Sequence, residues 1–174
     1  FMTRAVGDGY GGLEHRASTA LICNRNDLPT TAAAKFSEPG DGYIKYLGLC
    51  SHEYFHTWNV KRIKPAAFAP YDLQAETYTP LLWLFEGFTS YYDDLLLLRS
   101  GLITEAAYLK LLGKSIGGVL RGSGRTKQSV ADSSFDAWSK YYRQDENSPN
   151  AIISYYTKGS LIALAFDLTI RAKT

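Results

Sequence analysis

Residues 52–56 read His52-Glu53-Tyr54-Phe55-His56. On an α-helix, side chains four positions apart stand one above the other on one face, so the imidazoles of His52 and His56 come close enough to share one metal ion. Glu53, one step round the helix, is placed to reach a water molecule on that ion. The pattern HExxH arises by chance in a chain of this length with odds on the order of one in two hundred, so it needs support from its surroundings.

Working outward, a helix is expected to begin after Asp41 as N-cap and to run through Tyr46, Leu49, Glu53 and His56, with Pro65 excluding any continuation. A second helix takes Thr79 as N-cap and Pro80 at its first position. It carries apolar residues at 81, 84, 85, 88, 91, 92 and 95 and stops at Gly101. Further helical stretches are expected at about 104–120, 134–143 and 154–171, separated by Gly122-Ser123-Gly124 and by the polar run from Gln144 to Asn150. Toward the amino end, residues 13–23 read as a strand entered from the loop Gly7-Asp8-Gly9-Tyr10-Gly11-Gly12. No internal repeat or low-complexity tract interrupts this order. The expected fold is mainly α with a small β element, forming one domain over residues 1–174.

A catalytic zinc takes three protein ligands and keeps a fourth position for water, so two histidines need a third partner. The remaining histidine is His15. Glu86 is the better candidate, because it sits mid-helix in Leu82-Trp83-Leu84-Phe85-Glu86-Gly87-Phe88, where burying a carboxylate is costly and a metal would offset the cost. The plainer reading of Glu86 is a solvent-facing glutamate on an amphipathic helix. Asp93 shares a helix face with Glu86 and Thr89, so it could orient a ligand histidine from behind, or simply lie on the helix surface.

The chain has 174 residues, of which 45% are hydrophobic, enough for one domain with a core of its own. A net charge of +2 is too small to imply nucleic acid or an acidic membrane surface as partner. The cluster Lys61-Arg62-Ile63-Lys64 reads as a solvated loop. No apolar run approaches the roughly 18 residues of a membrane span, so the chain is expected to be soluble, with compartment and oligomeric state left open. Phe1-Met2-Thr3-Arg4 lacks the layout of a signal peptide and suggests an excised fragment or a tag remnant before Met2. Cys23 and Cys50 fit neither a disulfide framework nor a cysteine zinc site, and are expected to be buried thiols.

Four ordered motifs, GGLEHR at 11–16, HEYFHTWNVKRIKP at 52–65, LLWLFEGFTSYYDDL at 81–95 and YYTKG at 155–159, resemble the glycyl aminopeptidase family of gluzincins. The site is similar to that of the aminopeptidase N group, but the spacing from His56 to Glu86 is that of the glycyl family. The resemblance implies a zincin-like (gluzincin) catalytic domain that is a fragment of a larger protein, since family members also carry an amino-terminal β domain and a carboxy-terminal PDZ domain. It implies one zinc ion per chain on His52, His56 and Glu86, with Glu53 as general base. It also implies that Glu14 binds the α-ammonium of a peptide with a free amino terminus, a role a carboxylate on a substrate-lining strand can fill; a surface glutamate beside a turn is the plainer alternative. Tyr156 matches the family's oxyanion-stabilising tyrosine, with the adjacent Tyr155 as alternative donor. His15 stands where aminopeptidase N relatives carry asparagine and is left as a pocket residue.

The expected activity is that of a zinc-dependent hydrolase, an aminopeptidase, and the family resemblance implies a preference for small first residues such as Gly or Ala. The competing readings are a zinc endopeptidase in which Glu14 faces elsewhere, and a catalytically silent peptide-binding module on the same scaffold.

Overall fold

A computed structural model describes residues 1–29 and 39–174, and it is mainly helical with a small sheet. The chain divides into two compact units, one of residues 1–62 and 92–110, the other of residues 63–91 and 111–174.

The first unit holds three strands, β1 (Met2–Val6), β2 (Gly11–Glu14) and β3 (Thr19–Asn24), in the order β1-β3-β2, with β1 parallel and β2 antiparallel to the central β3. The single strand expected over 13–23 is therefore two strands joined by a turn, in which the His15 amide donates to the Ser18 carbonyl at 2.8 Å. The glycine-rich run expected to be loop supplies half of β2, Gly11 and Gly12. Along β3 burial alternates: Thr19, Leu21 and Cys23 face inward, while Ala20 and Ile22 face out, as the two-residue period of a half-buried strand requires. Helix α1 (Asp41–Phe55) packs on β2 and β3 and buries Ile44, Leu49 and Glu53. Its N-cap is Gly40 and not Asp41, which lies in the first helical turn and accepts a salt bridge from Lys110 at 2.8 Å; an acidic group there suits the positive end of the helix dipole. Cys23 is buried, but Cys50 is only half-buried, and neither thiol is in a disulfide.

The second unit includes the amino-terminal half of α2 (Leu82–Arg99). Thr79 accepts a hydrogen bond from the Leu81 amide at 3.3 Å, so the capping residue is as expected but regular helix starts only at Leu82. The far end of α2 stops at Gly101, whose φ of +74° lies in the left-handed region. There the Gly101 amide bonds to the Leu98 carbonyl at 3.0 Å and the Leu102 amide to the Leu97 carbonyl at 3.0 Å. This is the paired arrangement that satisfies a helix's last carbonyls and favours glycine at the turn.

Helix α3 (Glu105–Arg121) and helix α6 (Tyr155–Arg171) lie where periodicity predicts them, the latter capped by the Ser154 hydroxyl, which accepts from the Thr157 amide at 3.1 Å. The helix expected over 134–143 is instead α4 (Val130–Phe135) followed by a π-helical turn at Ala137–Tyr141. Ser129 starts α4 early, because its hydroxyl accepts from the Asp132 amide at 3.0 Å and donates to the Asp132 carboxylate at 2.6 Å. The polar run 144–150 leads into a single helical turn, α5 (Ser148–Ala151). The core of this unit comprises Phe85, Tyr91, Val119, Ala137, Ile153, Tyr155 and Ala163. Among the described residues no helix is long and apolar enough to cross a membrane.

Helices α2 and α6 touch backbone to backbone at Gly87 and Gly159, where a Cβ on Gly87 would lie 2.5 Å from the Gly159 Cα. The Gly87→Ala variant gains about 1 kcal/mol of helix propensity but forces apart two packed backbones, an overpacking cost of about 1–3 kcal/mol. A net loss of up to about 2 kcal/mol, read as a drop of several degrees in Tm, is expected; an unchanged or raised Tm would show that the crossing is not tight.

Candidate active site

Helix α1 supplies His52, Glu53 and His56 on its last turn and a half, with the His56 residue itself closing the helix. The two imidazoles meet edge to face with ring centroids 4.7 Å apart. Each is fixed through Nδ1. His56 Nδ1 lies 2.8 Å from the Asn59 carbonyl oxygen, which can only accept, so Nδ1 carries the proton. His52 Nδ1 lies 2.9 Å from Asp93 Oδ2, and an ionised carboxylate again makes Nδ1 the donor. In both rings Nε2 is then the lone-pair nitrogen suited to a metal, and the acceptors behind them lock tautomer and orientation.

Asp93 is thus one of the two positions sequence reasoning left open for it: behind His52, and not on the helix surface. Its own backbone supports the same helix pair, since Ser51 Oγ donates to the Asp93 carbonyl at 2.9 Å. Burial pushes the Asp93 carboxyl above the usual range, while the hydrogen bond and charge of His52 pull it down. Burial likewise raises Asp94 to about 7, with the neighbouring Asp93 charge adding to the effect.

Glu53 is 6% exposed and points toward β2, where a Cβ at Gly12 would overlap its carboxylate. The glycine of the GGLE run is therefore a steric requirement of the helix behind it. His15, Glu53, Tyr54 and Thr57 line a cavity of about 190 Å³, which makes His15 a pocket residue as expected.

Glu14 ends β2 and pairs with Lys61 at 3.1 Å, both side chains about a fifth exposed at 20% and 18%. Lys61 is accordingly the partner of a candidate substrate-binding carboxylate, and the solvated basic loop expected at 61–64 is corrected in that respect. The remainder of that cluster is also engaged: Arg62 donates to the Thr57 carbonyl at 2.5 Å and Lys64 lies 4.6 Å from the Tyr71 ring centre.

Glu86 lies one residue before the Gly87 crossing, and Tyr156 lies one turn before Gly159, so the close approach of α2 and α6 brings this carboxylate and this phenol into one neighbourhood. Burial holds the Tyr156 phenol well above its ordinary range, with the Glu86 charge as the next cause. Tyr155 is also raised, by burial first and a hydrogen bond from its hydroxyl to Tyr142 second. At 1% exposure Tyr155 is a core residue, stacked on Tyr156 at 4.6 Å and tilted against Tyr141 at 4.7 Å, whereas Tyr156 is half-buried.

One ligand atom from each of His52, His56 and Glu86 lies within 4.8 Å of the others. Two nitrogens and a carboxylate oxygen form the donor set of a catalytic zinc site, and they fit the ion in number and type. Tyr10, Asn59, Lys61 and Tyr142 escaped sequence reasoning. Asn59 acts through its backbone, which its identity does not reveal. Lys61 meets Glu14 only through the fold, and Tyr10, 54% exposed as a residue but with a phenol raised by desolvation and by Asp93, Asp94 and Glu53, came from a run that reads as loop.

The sequence model of the M61 glycyl aminopeptidase family matches residues 45–162. A solved structure of an aminopeptidase N family protein from Idiomarina loihiensis is similar over 98% of this chain, with 56% sequence identity and a TM-score of 0.94. The chain spans 29% of the length of that protein's chain. A search of curated proteins gave no match. The chain belongs to the M61 glycyl aminopeptidase family, a family of peptidases.

Proposed function

We propose that residues 1–174 form the zincin-like catalytic domain of a zinc-dependent aminopeptidase that is longer than this chain and removes a small amino-terminal residue from peptides. The observation that carries the proposal is the histidine pair of α1, each ring donating through Nδ1 to Asp93 or Asn59, with a ligand atom of Glu86 within 4.8 Å of theirs.

One zinc ion held by His52, His56 and Glu86 would polarise the scissile carbonyl and lower the pKa of a water molecule toward about 7. The buried Glu53 then takes the proton of the attacking water and hands it to the leaving amine. Tyr156 donates a hydrogen bond to the carbonyl oxygen as negative charge builds on it. Glu14 pairs with the α-ammonium and sets the register of the peptide, so that the first peptide bond is the one presented.

The Glu14–Lys61 ion pair favours a second reading. A carboxylate already neutralised by lysine attracts an ammonium group less, and a site of that kind would act as an endopeptidase. One experiment separates the two: the full-length protein is analysed for metal and assayed on a peptide with a free and with an acetylated amino terminus. One zinc per chain and strong preference for the free peptide are expected, with Glu14→Ala costing roughly ten- to a hundred-fold in kcat/KM, the worth of a charge-assisted hydrogen bond. No bound metal after zinc addition would overturn the proposal, and equal cleavage of both peptides would establish the endopeptidase.

A further inference from the structure

Three phenol groups of the second unit form a chain: the Tyr155 hydroxyl donates to the Tyr142 hydroxyl at 3.3 Å, and the Tyr142 and Tyr156 hydroxyls are 3.2 Å apart. A phenol has one proton to give and lone pairs with which to receive. Having received from Tyr155, Tyr142 has its own proton available for Tyr156.

We infer that Tyr142 is a positioning residue for the oxyanion donor: by donating to the Tyr156 oxygen it polarises the Tyr156 O–H and keeps that proton directed away from the tyrosine cluster, toward the reacting carbonyl. The inference rests on the proposed role of Tyr156. Successive hydrogen bonds in a chain strengthen one another, so the effect is felt when charge develops on the substrate oxygen and not when the substrate first binds. Tyr142 itself does not touch substrate. Its ring is 63% exposed and packs edge-on against Tyr141 at 5.5 Å, and nothing in its sequence context marks it. What brings its hydroxyl to the other two is the π-helical turn at Ala137–Tyr141, which shifts the register of the chain just before it.

The test is a mutant cycle in the full-length, zinc-loaded protein. Tyr142→Phe keeps the ring and removes the hydroxyl, and it is expected to lower kcat roughly five- to tenfold, the worth of one polarised hydrogen bond, while leaving KM within about twofold. Tyr142→Leu removes the ring as well and is expected to show the same loss; a loss in the leucine variant alone would mean packing and would overturn the inference. The double variant with Tyr156→Phe is expected to be no slower than Tyr156→Phe alone, because Tyr142 acts only through Tyr156. Binding of a phosphinic peptide, a tetrahedral oxyanion mimic, is expected to weaken in Tyr142→Phe in the same proportion as kcat, and calorimetry measures this without turnover. Additive losses in the double variant, or an effect on KM alone, would overturn the role of Tyr142. Wild-type turnover by Tyr156→Phe is a different result: it removes the oxyanion role of Tyr156 and the inference with it.

Discussion

Glu53→Gln is expected to retain a full complement of zinc and to lose turnover by about 10²-fold or more. Glutamine has nearly the shape of glutamate, so the tight contact with Gly12 on β2 is preserved and α1 keeps its seat. The ligand set also survives: His52 and His56 remain hydrogen-bonded through Nδ1 to Asp93 and Asn59. What is removed is the only function an amide cannot supply, acceptance of a proton from water. Metal analysis and steady-state kinetics on the same preparation of the full-length protein make the check. Near-normal turnover with zinc present would end the general-base assignment, and loss of both zinc and activity would show that Glu53 acts on the site's structure.

Tyr156→Phe is expected to lower kcat by roughly 10²-fold with a small change in KM, as for loss of one oxyanion donor. Phenylalanine keeps the stacking on Tyr155 at 4.6 Å and the contact with Tyr141 at 5.8 Å, so the fold of the tyrosine cluster is unaffected. Tyr155→Phe serves as the comparison. Its ring is fully buried and its hydroxyl faces Tyr142, so the variant is expected to cost far less. A large loss confined to Tyr155→Phe would transfer the donor role to that residue.

How much could be read beforehand differs from element to element. Helices α2, α3 and α6 were legible because their apolar residues recur with the helical period, and α2 also carries local signals at its ends, Thr79 before its start and Gly101 at its stop. The sheet was legible only as one strand. Gly11 and Gly12 read as loop because glycine is a poor strand former, yet they pair with Ile22 and Leu21, and the demand for glycine at 12 comes from Glu53, forty-one positions away. The region 134–143 failed for a different reason: a π-helical turn breaks the period on which such a reading depends.

The sequence by itself determined the kinds of chemical group available and their local spacing: a helix with two imidazoles on one face, a carboxylate beside them, a second helix carrying Glu86 and Asp93 two turns apart, and a tyrosine motif at the start of a third. These follow from a period of 3.6 residues, which acts within a single element. Only the tertiary structure decided the partners. It set Asp93 behind His52, the Asn59 carbonyl behind His56, Lys61 against Glu14, and Tyr142 between two other phenols. Apart from the His56–Asn59 contact, which closes the turn after α1, these hydrogen bonds and ion pairs depend on distances of about 3 Å between groups well separated in the chain, and no local pattern encodes such distances. The glycines show the same division. Gly87 and Gly159 were read as members of motifs, but their physical task is to let two helix backbones touch, and that requirement exists only once both helices are in place.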